Sequence, residues 1–233
     1  MRLSNKFTHG APTPPFGARV REFARRNDAL AGVEFALVLP FLLSLGLGAN
    51  EFCRYVLIAK RATTAAASIA QMAASTSDKL DQRELNNFEK SVIVIPNISR
   101  DAASVPIHYW GVARVNISSI RFKPTTPGCV TSSCAHEAHV LWAWGWTRRA
   151  CGKLTPVSDA ADPSPGTIPK SLLGPGSVVS VEMTYLYTPI VGAGLFPAKT
   201  INRTAYVAPR YVAYADLAMI THPALPVERC TGV

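Results

Sequence analysis

The chain has 233 residues, 48% of them hydrophobic and 17% charged, a balance that excludes a disordered polar chain. Its 18 prolines and 15 glycines leave little room for several long apolar helices, which argues against a multi-span membrane protein. A formal charge of +9 suits a nucleic-acid partner only where the basic residues cluster.

Residues 1–28 carry Arg2, Lys6, Arg19, Arg21, Arg25 and Arg26 against Glu22 and Asp28, a net +4. This basic leader, with Ala11-Pro12-Thr13-Pro14-Pro15 inside it, precedes the most apolar part of the chain. Phe35 to Ala49 reads FALVLPFLLSLGLGA without a charge. Extended back to Ala29 and forward to Phe52 it gives 24 positions, interrupted by Glu34, Asn50 and Glu51. At about 1.5 Å per residue such a helix is roughly 36 Å long, enough for a ~30 Å hydrocarbon core. The run is apolar all round and shows no 3.6-residue period, which favours a membrane span over a buried core helix. Basic residues ahead of a single span predict a cytoplasmic N-terminus and an exported remainder. A secretory signal peptide has the same polarity, but here the run passes into Arg54–Arg61 and then the Ala-rich stretch 62–74, which has high helix propensity. One long helix that crosses the membrane and projects beyond it is the simpler reading.

Glu34 stands inside that helix. A carboxylate there costs about 2.5–3.5 kcal/mol on insertion scales, which makes it a candidate functional residue. A position near the helix start, at the positive end of the dipole and at headgroup level, would equally suit a solvated anion with no further role.

The stretch Ala29-Leu30-Ala31-Gly32-Val33-Glu34-Phe35-Ala36-Leu37-Val38-Leu39-Pro40 resembles the start of the TadE-like family, membrane-anchored pseudopilins of the tight-adherence (Flp) pilus and secretion machinery. In that family a basic leader precedes a small residue, four further residues, then Glu, Phe and a long apolar helix with an early proline. The resemblance implies cleavage by a prepilin peptidase on the cytoplasmic side, between Ala29 and Leu30, with Glu34 the fifth residue of the mature chain. This sequence carries Ala29 where the family usually has Gly before the cut. Cleavage would create a cationic amine on Leu30, four residues from Glu34 and on the same helix face. The resemblance implies that Glu34 pairs with such an amine, its own or a neighbour's, neutralising two charges otherwise stranded in lipid. Pro40 lacks an amide hydrogen for the carbonyl of Ala36, so the helix is expected to kink or loosen there. Pilin-type helices carry a similar proline.

Ser77 to Val94 begins with a polar cap and places Leu80, Leu85, Phe88 and Val92 on roughly one face, which predicts a second helix. Beyond Pro96 the pattern turns to strands, at Val112–Phe122, Val140–Trp146, Val178–Tyr187 and Thr200–Val207. The second of these is expected to place Trp142, Trp144 and Trp146 on one side. Short turn-rich connections suggest an antiparallel sheet against the long helix, an α+β arrangement. Residues 181–190, a Gly-rich apolar link, and then Arg203-Thr204-Ala205-Tyr206 and Pro209-Arg210 look like the closing hairpin of TadE-like proteins. The expected organisation is a leader over 1–29, a membrane-spanning and extended helix over 30–75, and a periplasmic, pilin-like α+β domain over 76–233.

Cys129, Cys134, Cys151 and Cys230 all fall in the part expected to meet the oxidising periplasm. Four cysteines permit three pairings. Cys129–Cys134 or Cys134–Cys151 is expected as one bridge, with Cys230 tying down the tail. Cys53, at the membrane boundary, is expected to be a small buried hydrophobe. The cluster Cys129, Cys134, His136, Glu137 and His139 has zinc-ligand chemistry. It is not an H-E-x-x-H motif, disulfides compete for its sulfurs, and on a strand His136 and Glu137 point to opposite faces. No nucleophile elbow, phosphate loop or dinucleotide fingerprint is present, so no catalytic residue, cofactor or metal is expected.

Residues 52–233 hold 18 basic and 11 acidic residues, but singly along strands and loops, so no nucleic-acid partner is expected. The sequence reads as a non-enzymatic, single-pass minor pilin or pseudopilin of the bacterial inner membrane. Its expected partners are the membrane, other pilins and pseudopilins, the pilus assembly platform and a prepilin peptidase. The alternative is a permanently anchored periplasmic binding or adhesion protein that never enters a filament.

Overall fold

The computed structural model describes residues 28–77, 79–90, 113–129, 131, 134–162, 164–190, 197–216 and 227–231. The basic leader up to residue 27, the start of the middle region and the Gly-rich link at 191–196 lie outside them. The chain divides into two compact units, one ending at Asn50 and one beginning at Glu51. Helix α1, Asp28–Ala74, contributes to both.

Within the second unit, the Ala-rich part of α1 is a core element. Ile58, Ala59, Ala62, Ala66, Ile69, Ala70 and Ala73 recur at helical spacing and are buried. Alanine at five of these positions lets the helix backbone approach the sheet closely. Facing it are Val115 and Ile117 of β1 (Ala113–Pro124), Trp142 and Trp144 of β2 (His136–Trp144), alternate residues of β6 (Gly176–Tyr187) from Val179 to Tyr187, and Ile201 of β7 (Lys199–Val207). The sheet is antiparallel, in the order β3-β2-β1-β6-β7, with β3 at Gly152–Lys153, and β8 (Val227–Arg229) also pairs with β2. Its four long strands overlap the four expected from the sequence. Short β4 (Thr155–Val157) and β5 (Thr167–Pro169) form a separate parallel pair.

The β1–β2 ladder contains a bulge. Ser119 faces Trp142 while Ile120 faces Val140, so Leu141 is an extra residue in β2. The alternation of β2 therefore reverses partway along. Ala138 and Val140 join a second core with Ile120, Phe122, Leu154 and Ile168 on the face away from α1, whereas Trp142 and Trp144 join the α1 core.

Trp146 is not with them. The strand ends at Trp144, and Gly145 takes φ +122°, where a Cβ would stand 2.8 Å from the Val115 carbonyl oxygen. The turn sends Trp146 out with 51% exposure. It also lets the Asn116 amide donate to Thr147 Oγ1 at 2.7 Å and accept from the Thr147 amide at 2.9 Å.

The second helix, α2, runs over Gln82–Lys90 rather than from Ser77. Glu84 supplies one half of a capping box, its Oε2 accepting from the Asp81 amide at 2.9 Å, and the Asp81 carbonyl accepts from the Leu85 amide at 3.1 Å. Leu80, expected on the helix, precedes it and is buried, and its amide donates a hydrogen bond to the Asp216 carbonyl. Leu85 is buried and Phe88 half-buried, as the helical face implies, while Val92 lies outside the described residues.

Candidate functional site

In the first unit, α1 exposes side chains that water does not tolerate in such density. Phe35, Leu37, Val38, Phe41, Leu42, Leu43 and Leu45 are each at least half exposed. This is the one described helix long and apolar enough to cross a membrane, on length and composition, and its most apolar 18-residue window has no residue buried. Exposed apolar surface of this size on a helix marks contact with lipid or with other helices. Glu34 lies in it, exposed, with no hydrogen bond or ion pair among the described residues. Ala29 and Leu30 fall in the first turn of α1. The helix runs without a break through Pro40, whose carbonyl accepts a 2.7 Å bond from Ser44 Oγ one turn on. That side-chain bond supplements the ladder where proline depletes it.

Where α1 enters the second unit, a different carboxylate takes over. Glu51 is buried. Its Oε1 accepts from the Tyr187 hydroxyl and, at 3.2 Å, from the Ile190 amide, and its Oε2 lies 3.5 Å from Arg54. Tyr55 meets the Tyr187 ring edge-on at 5.4 Å and carries Lys199 over its own face at 5.5 Å. Burial, then the bond to Glu51, pushes the Tyr187 hydroxyl up to about 12. Glu51 thus ties the end of β6 to the helix. Read from the sequence alone, Glu51 only interrupts the apolar run, and its strand partner is 136 residues away.

A second feature lies on the sheet face away from α1. Arg149 is fully buried, with its guanidinium 2.7 Å from Glu182 and donating to the carbonyls of Pro165 and Thr167 and to the Tyr206 hydroxyl. Burial pushes the Glu182 carboxyl above the usual range, and Arg149 pulls it back. Glu182 and Asn116 line a cleft of about 150 Å³ with Thr147, Thr184, Asn202 and Thr204. The signal for this pair in the sequence is weak: Ser180, Glu182 and Thr184 mark a polar row on an otherwise apolar strand.

The cysteines pair as Cys129–Cys134 and Cys151–Cys230. The first is one of the two expected alternatives. The other, Cys134–Cys151, does not form, because Cys151 beside β3 and Cys230 after β8 both sit along the outer edge of β2 and meet there. The tail is also held by Arg148 to Glu228 at 3.2 Å. Cys53 is free and exposed, not buried, since it turns away from the α1 face that packs on the sheet.

The sulfurs of the cluster with zinc-ligand chemistry are thereby occupied. Glu137 pairs with Lys153 at 2.5 Å and with His139 at 3.5 Å, and the Lys153 ammonium holds its carboxyl below the usual range. Among the described residues no group of three or more His, Cys, Asp or Glu is arranged to hold a metal ion.

Residues 31–71 match the family model described as TadE-like protein. The match covers the exposed apolar segment with Glu34 and Pro40 and most of the α1 face packed on the sheet, and the hairpin at 178–210 lies outside it. No curated protein and no solved structure matches the chain.

Proposed function

We propose that this chain is a membrane-anchored, pilin-like component of a tight-adherence (Flp) pilus or secretion apparatus, structural rather than catalytic. The observation that carries the reading is the exposed apolar stretch of α1 with a lone carboxylate at Glu34, inside the segment that matches the TadE-like model. In this reading the helix anchors the chain once in the bacterial inner membrane, with its N-terminus cytoplasmic and the sheet domain in the periplasm. The apolar stretch packs laterally against the helices of other pilins and pseudopilins. Prepilin peptidase cuts between Ala29 and Leu30, and Glu34 neutralises the new amine of this or a neighbouring subunit. The sheet domain caps, primes or regulates the filament on the assembly platform.

Both disulfides suit an oxidising compartment. The methyl of Ala29 at the cut favours the competing reading, a permanently anchored protein that keeps its leader. Intact-mass measurement of the full chain extracted from membranes separates the two. A mature chain starting at Leu30 is expected; retention of residues 19–28 in every molecule contradicts the processed-pilin route.

A further inference from the structure

The Glu51 cluster has a depth as well as a geometry. If α1 spans the membrane, as proposed above, Gly32–Asn50 accounts for about 28 Å at 1.5 Å per residue, which matches a ~30 Å hydrocarbon core. The headgroup layer outside that core is roughly 5–8 Å thick. It therefore takes in about the next four or five helix residues, Glu51 to Tyr55. Whatever the second unit clamps to those residues shares their depth.

Three strand-side residues are clamped there. Tyr187 bonds Glu51 through its hydroxyl, the Ile190 amide bonds the same carboxylate, and Lys199 lies over the Tyr55 ring. The composition of this end fits a lipid interface. Phe52 and Ile190 are 66% and 67% exposed, and Tyr55 is of the aromatic type that settles at headgroup level. Arg54 beside Glu51 and Lys199 over the Tyr55 ring supply cationic ends of the kind that seek lipid phosphates. The one anion, Glu51, is turned inward and hydrogen-bonded.

We infer that the β6–β7 end of the sheet domain rests on the headgroup layer of the membrane that anchors the chain, with Ile190 and Phe52 dipping into it and Arg54 and Lys199 contacting lipid phosphates. The domain is then held at the surface by two attachments, the helix and this collar, and the Glu51 clamp keeps the collar level with the helix exit. The inference rests on the membrane-anchored reading, and its test separates the two.

In a Cys53→Ser background, single spin labels are placed on the full chain at Leu42→Cys, Ile190→Cys and Pro124→Cys, and the protein is reconstituted in vesicles of phosphatidylethanolamine and phosphatidylglycerol. Pro124 lies at the end of β1 remote from the collar, about 40 Å along the strands. Collisional access to a water-soluble nickel chelate is the readout. Labels at 42 and 190 shielded, with 124 open, is the expected result. Shielding at 42 with a label at 190 as open as that at 124 overturns the docking and leaves the anchor standing. An open label at 42 overturns the anchor, and the docking with it.

Discussion

Two carboxylates seventeen positions apart on one helix have opposite surroundings. Glu34 lies exposed amid leucine, valine and phenylalanine, and Glu51 lies buried with a phenol, an amide and a guanidinium around it. The second is a structural lock, and the pH dependence of that lock enters through Tyr187. Because folding raises the Tyr187 hydroxyl from 10.0 to about 12, the stabilisation it contributes is present in full below pH 10 and fades as pH rises through 12. A hydrogen bond to a charged acceptor contributes about 2 kcal/mol. Tyr187→Phe is therefore expected to lower the denaturant midpoint of the full chain in detergent at pH 8, and the gap between variant and parent closes between pH 10 and 12. A gap that stays constant across that range contradicts the lock.

At the scale of elements, the fold depends on how the sheet covers its two faces. The α1 face is apolar, and the other buries Arg149 against Glu182. Removing one member of a buried pair strands the other, so Arg149→Met is expected to cost about 3–5 kcal/mol in equilibrium unfolding, and Glu182→Leu added to it to recover most of that loss. Loop size likewise ranks the disulfides. Cys151–Cys230 closes a separation of 79 residues and Cys129–Cys134 one of 5. Chain entropy then assigns them about 4.5 and about 2 kcal/mol. Replacing the first pair by serine should lower the melting temperature well beyond replacing the second, and the reverse order would refute this assignment.

These elements differ in how far sequence alone discloses them. The long strands are legible because alternation is local, and residues 178–187 read as a strand from their own pattern. The bulge at Leu141 is not, because an extra residue exists only relative to the partner strand. That is why three tryptophans at even positions read as one stripe, while Gly145 in fact removes Trp146 from it. The start of α2 was open to reading, since Asp81 and Glu84 spell a capping box, but Ser77 offers a competing cap. Of the site, Glu34 is legible as a charge in an apolar run. The Glu51–Tyr187 and Arg149–Glu182 pairs join residues distant in sequence, and only the folded sheet brings them together.

For the whole molecule, the +9 charge divides unevenly. The leader carries +4 and residues 52–233 a scattered +7, with Glu34 and Glu51 between. The leader's charge suits orientation of a helix, and the scattered charge suits a solvated domain surface. One apolar stretch is long and apolar enough to cross a membrane, and the later part of α1 packs in a conventional antiparallel core. Such a chain has one part suited to lipid and lateral helix contacts and another suited to an aqueous compartment. In the proposed reading Glu34 is the residue on which the assembly role depends, because a carboxylate in an apolar helix is costly unless it is paired or solvated. The most direct test compares Glu34→Ala with the parent chain for surface pili, at matched amounts of protein in the membrane fraction. Loss of pili with membrane insertion intact is the expected result. Normal piliation by the variant would contradict the account.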